Sequence, residues 1–207
     1  MSTGSLLLGL VGKKRTGKNH TARLLARFGY KEAAFADPLR DLALAINPVV
    51  GHTITGYRRD GEPVVELYHY ADALRDYGYE KAKEHFPEFR IFLQRLGTDG
   101  VRDVLGAKYG LRELLGDDLW IVLAEKRIEE TDEPLVFTDV RFPNEAALIE
   151  RLGGATIRIE RPGLAPSTDT HPSETAMDGH LVTHVIVNDS THAGLSATVD
   201  KLIGDIA

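Results

Sequence analysis

Cysteine is absent from the 207 residues. That excludes disulfides, thiolate zinc sites and a cysteine nucleophile, and it fits a reducing, cytoplasmic setting. Long apolar runs are absent as well. None approaches the ~20 residues of a membrane-spanning helix, and the start Met1-Ser2-Thr3-Gly4-Ser5 lacks the charged opening of a secretory signal, so a soluble chain without a membrane partner is expected. Positive charge is in the minority: 25 Lys and Arg against 31 Asp and Glu give a formal charge of -6, which argues against a large nucleic-acid surface. Repeats, low-complexity tracts and long linkers are missing too. A chain of this length folds as one domain, with room for a small inserted lobe.

The sequence is richest in information near its start. Leu6-Leu7-Leu8-Gly9-Leu10-Val11 is short enough for a buried strand, and Ala22, Leu24, Leu25 and Phe28 have the spacing of one helix face. Between them, Gly12-Lys13-Lys14-Arg15-Thr16-Gly17-Lys18 completes the pattern G-x-x-x-x-G-K. Two glycines allow a tight path on which successive N–H groups and a helix N-terminus face one concavity that suits a polyphosphate. Gly12, Lys13, Lys14, Arg15, Thr16, Gly17, Lys18, Asn19 and His20 are therefore the expected cofactor-binding run, with Lys18 at the β- and γ-phosphates. Asn19 stands where Ser or Thr usually gives magnesium a hydroxyl; its amide oxygen can serve directly or through water, with Thr21 a weaker substitute.

Strand and helix patterns then alternate, which predicts an α/β sheet of mostly parallel strands. A second strand is expected from Tyr30 to Phe35, then a helix with Asp37 as its cap and Pro38 in its first turn. Residues 47 to 66 read as a loop or small hairpin, and Val64 to Leu74 and Phe89 to Gly97 as two helical segments separated at Tyr77-Gly78-Tyr79. Tyrosines here are expected to pack a small lobe rather than to stack on bases. Gln94-Arg95-Leu96-Gly97-Thr98-Asp99-Gly100-Val101-Arg102 reads as a helix end rich in small and hydrogen-bonding residues, where Gln94 and Thr98 can position polar edges and Arg95 or Arg102 can grip a phosphate. Asp117 or Asp118 would cap the next helix, which carries the single tryptophan, Trp120.

A second strong signal is Leu135-Val136-Phe137-Thr138-Asp139-Val140-Arg141-Phe142-Pro143-Asn144-Glu145, where an apolar strand ends on Asp139, resembling a Walker B strand whose carboxylate organises magnesium. Arg141 and Asn144 follow at the same end of the sheet. A last strand, His184 to Asp189, and a helix with Leu195, Val199, Leu202 and Ile206 on one face close the chain. On one strand His180 and His184 would lie about 13 Å apart, too far to share a metal.

Taken together, Gly12 to Asn19, Phe35-Ala36-Asp37-Pro38-Leu39-Arg40, Gln94 to Arg102, Asp117-Asp118-Leu119-Trp120, Thr138 to Glu145, His171-Pro172-Ser173-Glu174 and Val187-Asn188-Asp189 resemble the phage deoxynucleoside monophosphate kinases, a branch of the P-loop kinases. The resemblance implies an α/β three-layer sandwich on a five-stranded parallel sheet, one domain with a nucleoside-monophosphate-binding insertion at about 47–102 and a lid at about 161–180. It implies ATP and Mg2+, a deoxynucleoside monophosphate acceptor and, weakly, a homodimer. By the same resemblance Lys18, Arg102, Arg141 and Arg161 are catalytic. Asp37, Arg40, Gln94, Gly97, Thr98, Arg102, Trp120, Arg141, Asn144 and Glu145 bind the acceptor, Asn19 and Asp139 the metal, and Asn188 and Asp189 lie near the adenine. A kinase for another phosphate acceptor, such as dephospho-coenzyme A, and a non-catalytic nucleotide-binding module are the competing readings.

Overall fold

The computed structural model describes residues 6–115, 118–164, 172–189 and 191–206. The chain runs β1 (Leu7–Val11), α1 (Lys18–Leu25), β2 (Lys31–Ala33), α2 (Asp37–Ile46), β3 (Val49–Tyr57), β4 (Pro63–His69), α3 (Tyr70–His85) and α4 (Pro87–Arg95). It continues through a π-helical stretch (Leu96–Lys108), α5 (Leu111–Leu115), α6 (Leu119–Glu129), β5 (Leu135–Val140), α7 (Pro143–Arg151), β6 (Ala155–Glu160), α8 (Pro172–Thr175), β7 (His184–Val187) and α9 (His192–Ile206).

The elements form two compact units. The described residues of Met1–Phe35 and Trp120–Ala207 make the first, those of Ala36–Leu119 the second. In the first, five strands pair in parallel in the order β2-β5-β1-β6-β7. Because helices cover both faces, β1 is apolar along its whole length instead of alternating. Leu8 and Leu10 pack on one face with Ala22 and Leu25 of α1 and Leu195, Val199 and Leu202 of α9. Leu7 and Val11 point to the other, against Ala124 of α6 and Ala146, Leu148 and Ile149 of α7. The chain leaves β1 toward β5 and β2 on one side and later fills β6 and β7 on the other. The strand order thus reverses at β1, the place where open parallel sheets bind ligands beyond the strands' carboxyl ends.

The second unit holds the antiparallel hairpin β3–β4, α2 to α5 and the π-helical stretch. Its core gathers Ala43, Val50, Tyr70, Ala73, Phe86, Phe89 and Leu93, with Tyr70 stacked on Phe89 at 4.2 Å between ring centroids. The tyrosines pack as expected: Tyr68 stacks on Phe86 and Tyr77 on His85.

Several local expectations are corrected. Val64 to His69 is strand, paired to β3, and the helix begins only at Tyr70. The expected break at Gly78 is present, since its backbone (φ 70°, ψ 165°) is not helical and divides α3 into two helical pieces, and a second break follows at Phe86-Pro87. The Gln94 to Arg102 segment is no helix end, because wider turns carry it on to Lys108. Gly97 serves packing: a Cβ there would come 3.1 Å from Leu39 Cδ2. Asp37 is the first residue of α2, not its cap, which is Ala36. The second strand is shorter than expected, Lys31–Ala33. His180 lies off β7, and among the described residues no group of three or more His, Asp or Glu could hold a metal. Asp117, His171 and residues 165–170 of the expected lid lie outside the described residues. No described helix is long and apolar enough to cross a membrane.

Candidate functional site

At the carboxyl end of β1 the chain turns through Gly12 to Gly17 into α1. Gly12 passes so close to β6 that a Cβ would stand 2.7 Å from the Ile159 carbonyl oxygen. Gly17 (φ 110°) and Arg15 (φ 68°) take left-handed backbone, costly for arginine and typical of ligand-binding turns. Several of the loop's carbonyls accept hydrogen bonds from within the protein. Lys13 O accepts from Thr16 Oγ1 (3.0 Å) and Lys18 Nζ (3.0 Å), and Gly12 O also accepts from Lys18 Nζ. Thr16 O accepts from Asn188 Nδ2 (2.8 Å), and Gly17 O from Thr21 N (2.9 Å) and Thr21 Oγ1 (3.2 Å). No side-chain hydrogen bond caps α1 at Gly17, and helix starts of this kind are where anions commonly bind. Lys14, Arg15 and Asn19 are exposed and Lys18 half-buried. His20 stacks on His192 at 4.5 Å; burial, then His192 and Arg23, holds its pKa below the ordinary histidine range.

Beside the loop, β5 delivers Asp139, whose Oδ1 accepts the Phe35 N–H at 2.8 Å. Arg141 follows the strand and pairs with Glu174 of α8 (Nη1–Oε1 2.9 Å). Lys13 donates to the Glu174 carbonyl and pairs with Asp178 at 2.5 Å, while Arg158 on β6 holds the carbonyls of Met177 (2.9 Å) and His180 (2.6 Å). Glu174, Asp178 and Arg158 had no assigned role from sequence; the only hint was Glu174's place in His171-Pro172-Ser173-Glu174. Glu145 caps α7, accepting from the N–H groups of Arg141 (2.6 Å) and Phe142 (3.1 Å). Asn144 is exposed at the same helix start and its Oδ1 accepts the Glu145 N–H at 3.0 Å. Trp120 is half-buried at the start of α6, and Arg161 and Asp189 are exposed just past β6 and β7.

Burial, with the Asp139 carboxylate adding to it, raises Glu145 to about 7 against the pull of its two backbone donors and of Arg141. The folded chain therefore holds a proton there that the unfolded chain releases near 4.5. The resulting stability is complete below the unfolded value and is lost as pH rises through about 7, above which the dependence flattens. Glu145→Gln, neutral at every pH, should remove one proton's worth of that slope. Urea midpoints at pH 5 and pH 8 measure it, and an unchanged slope would contradict the assignment.

In the second unit, Asp37 pairs with Arg40 at 2.9 Å, and the Arg40 guanidinium lies 4.1 Å from the Tyr79 ring centroid. Gln94 lies in the last turn of α4, and Gly97, Thr98 and Arg102 lie on the π-helical stretch, with Gln94, Thr98 and Arg102 exposed. Tyr70 is fully buried, and its hydroxyl has no hydrogen-bond partner among the described residues.

A buried parallel strand, a glycine-framed loop and a helix opening on a lysine define a phosphate-loop α/β protein. A family model described as deoxynucleotide monophosphate kinase matches residues 68–199. A putative deoxynucleotide monophosphate kinase of Acanthamoeba polyphaga mimivirus is 35% identical over 179 residues, covering 82% of this chain and 80% of that protein. The deoxynucleoside-5'-monophosphate kinase of Escherichia phage T5 is 25% identical over 226 aligned positions, covering 89% and 90%. Among solved structures, a dephospho-CoA kinase from Campylobacter jejuni aligns over 97% of each chain at 11% identity, with a TM-score of 0.40. The chain belongs to the deoxynucleotide monophosphate kinase family, and it is a nucleoside monophosphate kinase.

Proposed function

We propose that the protein transfers the γ-phosphoryl group of ATP to the 5′-phosphate of a deoxynucleoside monophosphate, giving ADP and the deoxynucleoside diphosphate. The observation that carries this reading is the glycine-framed turn from Gly12 into α1, in which the Gly12 and Lys13 carbonyls hold Lys18 Nζ at the loop and Asn188 holds the Thr16 carbonyl, the arrangement of a backbone N–H cradle with a cation beside it. The acceptor phosphate has a second pKa of about 6 and is mostly dianionic near neutrality, so no strong general base is needed. Alignment and charge neutralisation carry the rate.

In this reading Lys18 holds the β- and γ-phosphates, and Arg102, Arg141 and Arg161 screen the repulsion between the two anions. Asp37, Arg40, Gln94, Gly97, Thr98, Trp120, Asn144 and Glu145 serve the acceptor. Asp139 and Asn19 offer the hard oxygen donors that magnesium prefers, a carboxylate and an amide, and the group fits them chemically. Bound there, magnesium supplies neutralisation of phosphate charge. Arg141 is paired with Glu174 and would exchange that carboxylate for phosphate oxygens.

ADP release measured with each of the four deoxynucleoside monophosphates, ribonucleotide controls and dephospho-coenzyme A tests the reading. Deoxynucleotide-dependent ADP, with the diphosphate identified as product, is the expected result. Turnover on dephospho-coenzyme A alone, or ADP formation that ignores the acceptor, would overturn it.

A further inference from the structure

Asn188 lies 172 residues from Thr16 in sequence, yet its Nδ2 donates to the Thr16 carbonyl at 2.8 Å. Its own backbone is fixed, because the Asn188 N–H extends the β6–β7 ladder to Glu160 O at 2.7 Å. Thr16 is buried at 4% exposure, and Nδ2 sits 2.6 Å from where a Cβ on Gly17 would stand. Glycine at 17 therefore meets two demands at once, a φ of 110° and the close approach of this amide. In a trans peptide the carbonyl and the next N–H point in opposite directions. Holding the Thr16 carbonyl on Asn188 therefore turns the Gly17 N–H away from Asn188 and fixes its direction.

We propose that Asn188 is a positioning residue for the phosphate cradle: by anchoring the Thr16–Gly17 peptide it fixes the aim of the Gly17 N–H, so that a triphosphate meets donors already in place. This rests on the loop being the donor-nucleotide site, as argued above. It gives Asn188 a task distinct from contact with adenine, since the hydrogen bond its side-chain amide donates is spent on the protein backbone. The energetic logic is preorganisation, in which donors set before binding cost nothing to arrange during it.

The test measures binding of ATP, GTP and inorganic tripolyphosphate, the last having no base, to wild type, Asn188→Asp and Asn188→Ala, together with KM for ATP and for the deoxynucleotide. Asn188→Asp keeps the shape and turns the donor into an acceptor; Asn188→Ala removes both without adding charge; Asn188→Gln keeps a donor on a longer arm and should recover part of the loss. Expected is a loss of about tenfold or more in affinity, equal for ATP and tripolyphosphate. The ATP-to-GTP ratio and the KM for the deoxynucleotide should stay unchanged. Unaltered tripolyphosphate affinity with a shifted ATP-to-GTP ratio would assign Asn188 to the base and overturn the proposal. Weakening by aspartate but not by alanine would also overturn it, as an effect of charge alone. If alanine prevents folding, the aspartate and glutamine variants decide, since only glutamine retains the donor. Wild type that binds neither ATP nor tripolyphosphate would remove the phosphate-loop reading itself, and this inference with it.

Discussion

Lys18→Ala should lower kcat/KM by about a thousandfold, roughly 4 kcal/mol of transition-state stabilisation, while leaving the fold intact. Its ammonium is seated among loop carbonyls, donating to Gly12 O and to Lys13 O at 3.0 Å. That placement keeps the charge at the loop, where a polyphosphate would add oxygen partners. Folding tolerates the loss, because Lys13 O keeps Thr16 Oγ1 as a donor and alanine is a strong helix former in the first turn of α1. Lys18→Arg should restore only part of the activity. A rigid planar fork replaces a compact charge seated between two carbonyls. Steady-state kinetics with thermal melts check both variants, and a folded Lys18→Ala protein with full turnover would take the lysine out of the mechanism.

How far the sequence reached depended on whether a signal was local. The strand, loop and helix from Leu7 to Leu25 could be read because glycine, lysine and apolar residues stand at fixed short spacings. The β5 strand could be read for the same reason, as a buried run ending on an acid. Val64 to His69 was misread as helix because β4 is a mostly exposed hairpin strand without the buried alternation that marks a half-covered sheet, while Leu67, Tyr70, Ala71 and Leu74 happen to fall at helical spacing. Gly78 and Gly97 suggested breaks. The first does interrupt α3 with non-helical backbone, whereas the second lets the π-helical stretch lie against Leu39. The contacts that shape the candidate site are long-range: Asn188 to Thr16, Glu174 to Arg141, Asp139 to Phe35. Periodicity within a segment carries no record of such pairings, so the residue types were visible and their partners were not.

Asp139 has one task seen in the fold and one proposed for magnesium, and a pair of substitutions can separate them. Its Oδ1 accepts the N–H of Phe35, a residue only 3% exposed, and so ties the chain just beyond β2 to β5. Its charge is the one assigned to magnesium. Asparagine is nearly isosteric with aspartate and keeps an oxygen for Phe35 but carries no charge. Asp139→Asn should therefore lower kcat by about a hundredfold or more and raise the magnesium concentration needed for half-maximal rate, with the urea midpoint close to wild type. Asp139→Ala removes the acceptor too and leaves a buried N–H without it, at a cost of about 1–3 kcal/mol of stability beyond the asparagine variant. Magnesium titrations and urea unfolding of the two proteins separate the effects. Wild-type activity in Asp139→Asn would end the metal assignment, and equal stability of the two variants would end the structural one. Each result stands alone, because the carboxylate's charge and its hydrogen-bonding oxygen are lost in different steps.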